Sequence, residues 1–415
     1  MSLTRAQIDI VRSTAPILQE HGTAITSEFY GSMLKDVPEL NNIFNQASQA
    51  TGRQSTALAG ALFAYATHID DLGALSPAVE KICQKHASLY VQPQHYEVVG
   101  TYLLRAMGTI LGAALTLDIL EAWKVAYWQL ANIMIKTEAQ ISEKTDEWRD
   151  WRQFRIARKV PESSEITSFY LKPCDGEALP AFLPGQYTSV KTEVPRLDYS
   201  QARQYSLSDA PNPSYYRISV SRHYGLQVND SNAREHPGYI SNVLHDDQKE
   251  GDLLAVSCPA GEFYLDVASP STAPVVLICS GVGVTPMMSM LNSLLARQAT
   301  RRISFIHRAR STAVRAFGDD IAAAAKKHAN VSSVVFIGTP VAGEDIHGMH
   351  YHYAGNADLG VLDKERDLCL DDERAEYFVC GTETFMRRMG ESLKGLGVEQ
   401  ERIKMEVFGT GPTPL

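Results

Sequence analysis

The sequence predicts three units in series: an all-α unit, an antiparallel β-barrel, and an α/β unit built on a parallel sheet. Three observations predict this. Residues 1 to about 146 read as helix after helix with hardly a strand signal. From Trp151 the pattern alternates and breaks at Pro, Gly and Asp, as short antiparallel strands do, and from Ala273 strand and helix alternate. The expected boundaries are 1–146, 151–267 and 272–415, with a charged stretch near Thr145 to Asp150 as the first joint. A length of 415 residues allows several cores, and 44% hydrophobic with 21% charged residues is ordinary for a globular protein.

In the helical unit the first helix is expected near Thr4, amphipathic and carrying an acidic residue, unlike a signal or transit peptide. Pro16, Pro38, Pro77 and Pro93 fall near helix starts or between helices, and Ser76-Pro77 offers an N-cap followed by proline at the first helical position. Val79, Ile82, Cys83, His86 and Tyr90 recur at helical spacing, which places His86 in the middle of an apolar face. An inward imidazole is either a hydrogen-bonded core residue or a ligand. The last helix runs from about Leu117 to Ser142.

In the β unit, Pro184-Gly185-Gln186-Tyr187 precedes Arg203-Gln204-Tyr205-Ser206-Leu207, and alternation is expected to turn Arg203, Tyr205 and Tyr187 to a common face. That face would offer a cation for a phosphate and flat rings for stacking. Gly238-Tyr239-Ile240-Ser241 leads into a helix start that could hold a pyrophosphate. In the last unit the strand PVVLICSG runs into Gly281-Val282-Gly283, with Thr285 expected as N-cap and Pro286 as the first helical residue. Bare glycine backbone ahead of a helix lets a phosphate approach unpaired N–H groups, so this turn reads as a dinucleotide site. Further strands are RRISFIHRAR, VSSVVFIGTP and AEYFVCG, with a helix near Asp319 to His328 and another after AEYFVCG.

The formal net charge is −9 with no dense block of Lys or Arg, which argues against nucleic acid or an anionic membrane as partner. No apolar run approaches the roughly 20 residues of a membrane span, so the expected location is the cytoplasm. Cys83, Cys174, Cys258, Cys279, Cys369 and Cys380 form no C-x-x-C pair and read as reduced thiols. His347, His350 and His352 lie in a loop where no carboxylate or thiol completes a metal-binding spacing.

RQYSL, G-x-x-S, GVGVTP and VCGT stand in the order of the ferredoxin–NADP reductase family, which the second and third units resemble. Phe29-Tyr30, Pro38-Glu39-Leu40, Ile43-Phe44-Asn45, Gln54 with Ala57-Leu58, VEKICQKH, Tyr96 and Glu138 complete a pattern. Together they make the chain similar to a flavohaemoglobin along essentially its whole length.

The resemblance implies a globin domain holding haem b, an FAD-binding β-barrel domain and an NAD(P)-binding domain, with NADH or NADPH as donor. It implies His86 as the iron ligand, with Tyr96 and Glu138 hydrogen-bonding on the same side and Lys85 near the haem edge. Tyr30 and Gln54 would meet iron-bound O₂, Leu58 would crowd the site, and Phe44 would pack on the porphyrin. Gln186, Tyr187, Arg203, Gln204, Tyr205, Ser206, Gly238 and Ser241 are implied flavin contacts. Gly281, Val282, Gly283, Val284, Thr285 and Pro286 are implied for the nicotinamide nucleotide. Cys380, Gly381, Glu406, Val407, Phe408, Gly409 and Thr410 are implied about the flavin and nicotinamide.

The implied activity is an NO dioxygenase acting on O₂ and NO, monomeric or weakly dimeric; the alternatives are a reductase of peroxides or ferric chelates, and an O₂ or redox sensor. The chain departs from the family at Val284, Thr382, Val407 and Thr410, where glutamine, proline, cysteine and proline are usual. The stretch between Val220 and Gly238 is longer than usual.

Overall fold

A capping box opens the chain's first helix: the Thr4 side chain accepts from the Gln7 backbone N–H while the Gln7 side chain returns to the backbone of Thr4. The computed structural model describes residues 3–143, 148–195, 197–227, 234, 235, 238–298 and 300–409. Seven helices make up the first part: α1 (Arg5–Ser13), α2 (Ala15–Asp36), α3 (Gln46–Ala50), α4 (Arg53–Thr67), α5 (Ser76–Ser88), α6 (Pro93–Leu111) and α7 (Leu117–Glu143). Their core gathers Ile25, Phe29, Met33, Tyr65, Leu103, Met107 and Trp123, all nearly inaccessible to solvent.

Proline sits in the first turn of α2, α5 and α6, where its missing N–H costs nothing. Two details of α5 differ from expectation. Ser76 is already helical, because the 3₁₀ turn Leu72–Leu75 runs straight into the helix, and Leu75 takes the cap position. Tyr90 is not on the helix face: α5 ends at Ser88 and Tyr90 turns left-handed at φ 53.

The second part is a six-stranded antiparallel sheet of β1 (Arg152–Pro161), β2 (Ile166–Pro173), β3 (Tyr187–Val194), β4 (Tyr199–Ser206), β5 (Tyr216–Ser221) and a later strand, interrupted by the short pair β6 (Leu226–Gln227) and β7 (Arg234–Glu235), by α8 (Tyr239–Asn242) and by a π-turn. The later strand is β8 (Leu253–Val256), and the order is β4-β3-β8-β1-β2-β5. A bridge from Leu207 to Ile218 of β5 draws the two edges together, closing the sheet toward a barrel. Of the long stretch before Gly238, residues 228–233, 236 and 237 fall outside the described residues.

The third part is a parallel sheet of β9 (Val275–Ser280), β10 (Ile303–Ala309), β11 (Val331–Ile337), β12 (Tyr353–Ala354), β13 (Glu376–Cys380) and β14 (Ile403–Glu406) in the order β12-β11-β10-β9-β13-β14. The helices α9 (Val284–Arg297), α10 (Gly318–Lys327) and α11 (Glu383–Gly395) connect them. Strands buried on both faces read as continuous apolar runs, and all six residues of β9 are buried. Phe263, Leu265 and Val267, which follow β8, pack into the core beneath this sheet together with Leu277 and Met287. The chain order reverses between β9 and β13, and a doubly wound sheet binds its ligand at such a switch point.

Candidate functional site

His86 stands in the last turn of α5 and is held from one side. Its Nδ1 lies 2.8 Å from Glu138 Oε1 and 3.0 Å from Tyr96 Oη. The Tyr96 hydroxyl in turn donates to the same Glu138 oxygen at 2.5 Å. A carboxylate accepts, so Nδ1 is assigned the proton and Nε2 is left with the lone pair a metal needs. α6 supplies Tyr96 and α7 supplies Glu138, both buried, while the imidazole side chain keeps 32% of its surface exposed. Burial pushes the Tyr96 hydroxyl far above the usual tyrosine range, and Glu138 adds to the effect, so the phenol stays protonated.

On α2 and α4 a second polar group forms. Tyr30 is buried in the helical core, its ring 4.6 Å from that of Phe29 and edge-on to Phe44 at 5.6 Å. Burial raises its hydroxyl pKa well above the ordinary value, while the neighbouring Gln54 amide pulls the other way. Gln54 Oε1 is buried without a hydrogen-bond partner. A buried amide oxygen left unpaired costs about 1–3 kcal/mol, an expense found where a ligand or water completes the site. Leu58 is half-buried against the same core.

The helical part meets the barrel along two polar seams. From α5 outward, the Gly261 N–H donates to Gln84 Oε1 at 3.1 Å, Ser189 Oγ to Ser88 Oγ at 3.0 Å, and the Cys258 N–H to Tyr90 Oη at 3.1 Å. Lys85 Nζ donates to the Gly409 carbonyl near the chain's end. Burial lowers the Lys85 pKa, with Lys81 adding to it and Glu406 and Glu262 opposing. Glu406, buried at the end of β14, has its pKa pushed up to about 7 by burial and then by Glu262, against Lys81 and Lys85. The other seam joins residues 41–46 to β4.

On the barrel, Thr188 pairs with Tyr205 and Val190 with Arg203, while Tyr187 pairs with Ser206. Directly opposed residues share a face, so Arg203 and Tyr205 lie together and Tyr187 lies on the other face with Gln204 and Ser206, contrary to the common face expected. A Cβ on Gly261 would meet the Tyr187 ring at 2.9 Å, so that ring is covered by bare backbone. Gln204 Nε2 reaches Ser189 Oγ at 3.4 Å, and Ser206 is buried. Gln186 spends its amide on the loop itself, accepting from Leu183 N–H at 2.9 Å and donating to the Gly261 carbonyl at 3.2 Å.

α8 packs against β4, and its Tyr239 lies near enough to Arg203 to interact with it electrostatically. At its start a Cβ on Gly238 would meet Ser241 Oγ at 2.3 Å, and that hydroxyl is buried with no hydrogen-bond partner. An orphaned hydroxyl over bare glycine with a guanidinium on the adjacent strand suits a phosphate.

At the switch point Gly281–Gly283 form a 3₁₀ turn, with Gly281 at φ 55. A Cβ on Gly283 would strike the Cys380 carbonyl at 2.3 Å, so this turn rests directly on the end of β13. The helix α9 begins at Val284 with Gly283 in the cap position, so Thr285 is not the N-cap and Pro286 is not the first helical residue. The Thr285 hydroxyl instead donates back to the Val282 carbonyl at 3.0 Å.

Of the departures, Val284 is fully buried, Thr382 caps α11 by accepting from Phe385 N–H at 3.3 Å, and Val407 is half-buried against the core. Gly381 lies under the Phe385 ring, Phe408 is exposed, and Thr410 lies outside the described residues. The Cys380 thiol is fully buried, approaches the Glu406 carbonyl at 3.5 Å, and is held protonated by that burial.

Among the described residues no group of three His, Cys, Asp or Glu is arranged to hold a metal ion, and no helix is long and apolar enough to cross a membrane. His347, His350 and His352 use ring nitrogens on backbone groups at 2.9 to 3.1 Å. None of the six cysteines is in a disulfide. Sequence reasoning missed Gln84, Ser88 and Gln201, polar residues with no periodic signature, and missed Glu262, whose neighbour Gly261 was the visible mark of a close approach.

The family models that match are those described as Globin, over residues 27–134, and Oxidoreductase NAD-binding domain, over residues 277–390. The chain is 46% identical to a flavohemoprotein of Bordetella parapertussis over 97% of both chains. A crystal structure of flavohemoglobin from Malassezia yamatoensis with bound FAD and heme matches 99% of the chain and all of that one, with a TM-score of 0.84 at 26% identity. The flavohem-like FAD/NAD binding domain of nitric oxide dioxygenase from Vibrio cholerae matches 63% of the chain and all of that domain, with a TM-score of 0.54 at 33% identity. From the globin helices through the nucleotide-binding sheet, the chain belongs to the flavohemoprotein family.

Proposed function

We propose that the protein is an NAD(P)H- and O₂-dependent nitric oxide dioxygenase that converts NO to nitrate at a haem held by His86. The Vibrio cholerae relative bears that activity in its name, and the Malassezia yamatoensis relative carries haem and FAD. The observation that carries the reading is the His86–Glu138–Tyr96 triad in one chain with a nucleotide-binding reductase unit. Bound haem would supply an iron that takes up O₂, and FAD with a nicotinamide nucleotide would supply the electrons that return that iron to its reduced state.

The protein's own contribution follows from the polar groups. Glu138 accepts a hydrogen bond from the Nδ1–H of His86 and thereby makes the imidazole a stronger donor through Nε2. Tyr30, kept neutral by burial, is available as a hydrogen-bond donor throughout the physiological pH range, and Gln54 is the second polar group beside it. Such donors, fixed in advance where water is excluded, stabilise negative charge as it develops. Leu58 and Phe44 narrow the space around them. Arg203, Gly238 and Ser241 would hold the flavin's phosphates, and Tyr205, on the same face of the sheet as Arg203, would pack against its ring system. The Gly281–Gly283 turn and the start of α9 would hold the nicotinamide nucleotide's phosphates. Units at 1–146, 151–267 and 272–415, a cytoplasmic location and a monomeric or weakly dimeric state complete the reading.

The experiment is aerobic NO consumption by haem- and FAD-loaded protein with NADH, following nitrate formed per NO consumed. Near-stoichiometric nitrate with catalytic turnover is expected. Flavin reduction by NADH without NO turnover would move the function to another acceptor.

A further inference from the structure

The run Asn41-Asn42-Ile43-Phe44-Asn45-Gln46 divides its labour by residue type. Phe44 turns into the helical core against Tyr30, while the amides around it bind β4. Asn42 Oδ1 accepts from the Ser200 N–H at 2.9 Å, Gln201 Nε2 donates to the Asn41 carbonyl at 2.7 Å, and the Gln46 N–H donates to Gln201 Oε1 at 3.0 Å. Asn41 and Gln201 are buried, so this seam is shielded from water, where hydrogen bonds are held to their geometry.

The last link differs from the others. Asn45 Oδ1 accepts from Arg203 Nη2, and the same oxygen accepts from the Ser48 N–H at 3.0 Å as the N-cap of α3. One atom therefore fixes both a guanidinium beside the proposed phosphate cradle and the first turn of a helix that starts next to Phe44. The other amino group of Arg203 is tied to the Ala202 carbonyl at 2.6 Å, leaving Nε and one N–H on each amino nitrogen for a further acceptor. α3 leads through Gly52, left-handed at φ 68, directly into α4 and Gln54.

We infer that Asn45 is a positioning residue that couples the flavin site to the distal wall of the haem pocket: it aims Arg203 at the flavin's phosphates and, through the same oxygen, sets the start of α3 beside Phe44. The inference rests on the placement of haem and FAD proposed above. When a phosphate draws on Arg203, the bond to Asn45 and the start of α3 adjust together, and the surroundings of a diatomic haem ligand change with them. Because such coupling is reciprocal, an occupied haem changes flavin affinity by the same factor as an occupied flavin site changes ligand affinity.

The test uses the full chain loaded with haem, in three variants. Asn45→Ser keeps an oxygen able to cap α3 and is too short to reach Arg203; Asn45→Asp keeps both bonds; Arg203→Ala removes the cation. FAD affinity is measured by flavin fluorescence, and the C–O stretching frequency of the reduced, CO-bound haem is recorded with and without FAD. In the wild type the C–O frequency is expected to shift when FAD binds. Asn45→Ser is expected to weaken FAD about tenfold, the size of one lost bond to a charged group, and to make the C–O frequency indifferent to FAD at normal haem content and helicity. Asn45→Asp is expected to retain the shift.

A wild-type C–O frequency that ignores FAD, an Asn45→Ser protein that still shows the shift, or an Asn45→Asp protein that loses it would each overturn the inference. Weakened FAD binding in Arg203→Ala with none in Asn45→Ser would overturn it while leaving the flavin site intact. Unchanged binding in Arg203→Ala would overturn both the inference and the phosphate role of Arg203.

Discussion

The polar groups around His86 and those around Tyr30 are buried to a similar degree and are used in opposite ways. Around His86 the hydrogen bonds close on themselves: Nδ1 and the Tyr96 hydroxyl both meet Glu138 Oε1. Beside Tyr30 the Gln54 amide oxygen has no partner. A closed set of bonds orients one side chain and resists change, whereas an open set holds capacity for something that arrives later. The difference teaches that the α5 side is preset and the α2–α4 side is not, which suits the roles proposed for them: holding a ligand atom at constant strength, and responding to a guest.

The most severe way to break the contrast is His86→Ala. It is expected to abolish haem incorporation, read as loss of the Soret band in protein supplied with haem, while FAD binding persists. Haem retained at normal stoichiometry would displace His86 from its role. Next comes Tyr30→Phe, which removes a donor from the open side. It is expected to speed O₂ dissociation by about ten- to a hundredfold, the worth of a hydrogen bond to a charged group, with flavin reduction by NADH unchanged; an unaltered dissociation rate would count against the assigned donor.

Glu138→Gln opens the closed side without changing its shape. A drop in the iron–histidine stretching frequency and a loss of about tenfold in NO turnover are expected, as for other partners of metal-bound histidine. An unchanged frequency would mean that the triad is only packing.

The last effect is on stability alone and concerns Glu406, a carboxyl that burial and Glu262 hold toward its protonated form. Its folded value is pushed up to about 7 from an ordinary 4.5, so the fold favours the protonated form. The stability that this proton contributes is fully present below about pH 4.5 and is lost as pH rises through about 7. Glu406→Gln is therefore expected to match the wild type near pH 4 and to exceed it by about 3 kcal/mol at pH 8, the attraction of Lys81 and Lys85 being already contained in the folded value. Urea midpoints at the two pH values check this, and a difference of equal size at both would remove the titration from the account.

Much of this arrangement was legible beforehand, and the failures have physical causes. Helix and strand periods separated the three parts because each buries its apolar residues at its own spacing. His86 was visible as an inward imidazole, and the family's motifs supplied its partners 10 and 52 residues away. Tyr187 was assigned to the wrong face because phase across two strands depends on their register, which neither strand states alone. Thr285-Pro286 is a strong helix-start signal, yet the 3₁₀ turn at Gly281–Gly283 carried the helix back to Val284. Tyr90 kept the helical spacing past the helix end because it is half-buried for another reason, its hydroxyl accepting from Cys258 across the seam. Gln201 could not be seen at all, and Asn45 stood in the family's motif with no sign of what it holds. Their partners lie more than 150 residues away and amides leave no hydrophobic rhythm.

The make-up of those seams bears on how the chain is born. The helical part leaves the ribosome first, and the surface it later presses on the barrel displays amides and hydroxyls: Asn41, Asn42, Asn45, Gln46, Gln84, Ser88 and the Tyr90 phenol. Water satisfies such groups as readily as Ser200, Gln201 or Gly261 does, so a half-made chain leaves these polar groups content at that joint, with the Tyr90 ring, which later meets Trp151, as an apolar contact among them. Each half can then mature by itself and dock late, at little risk of clumping and with little thermodynamic drive beyond shape.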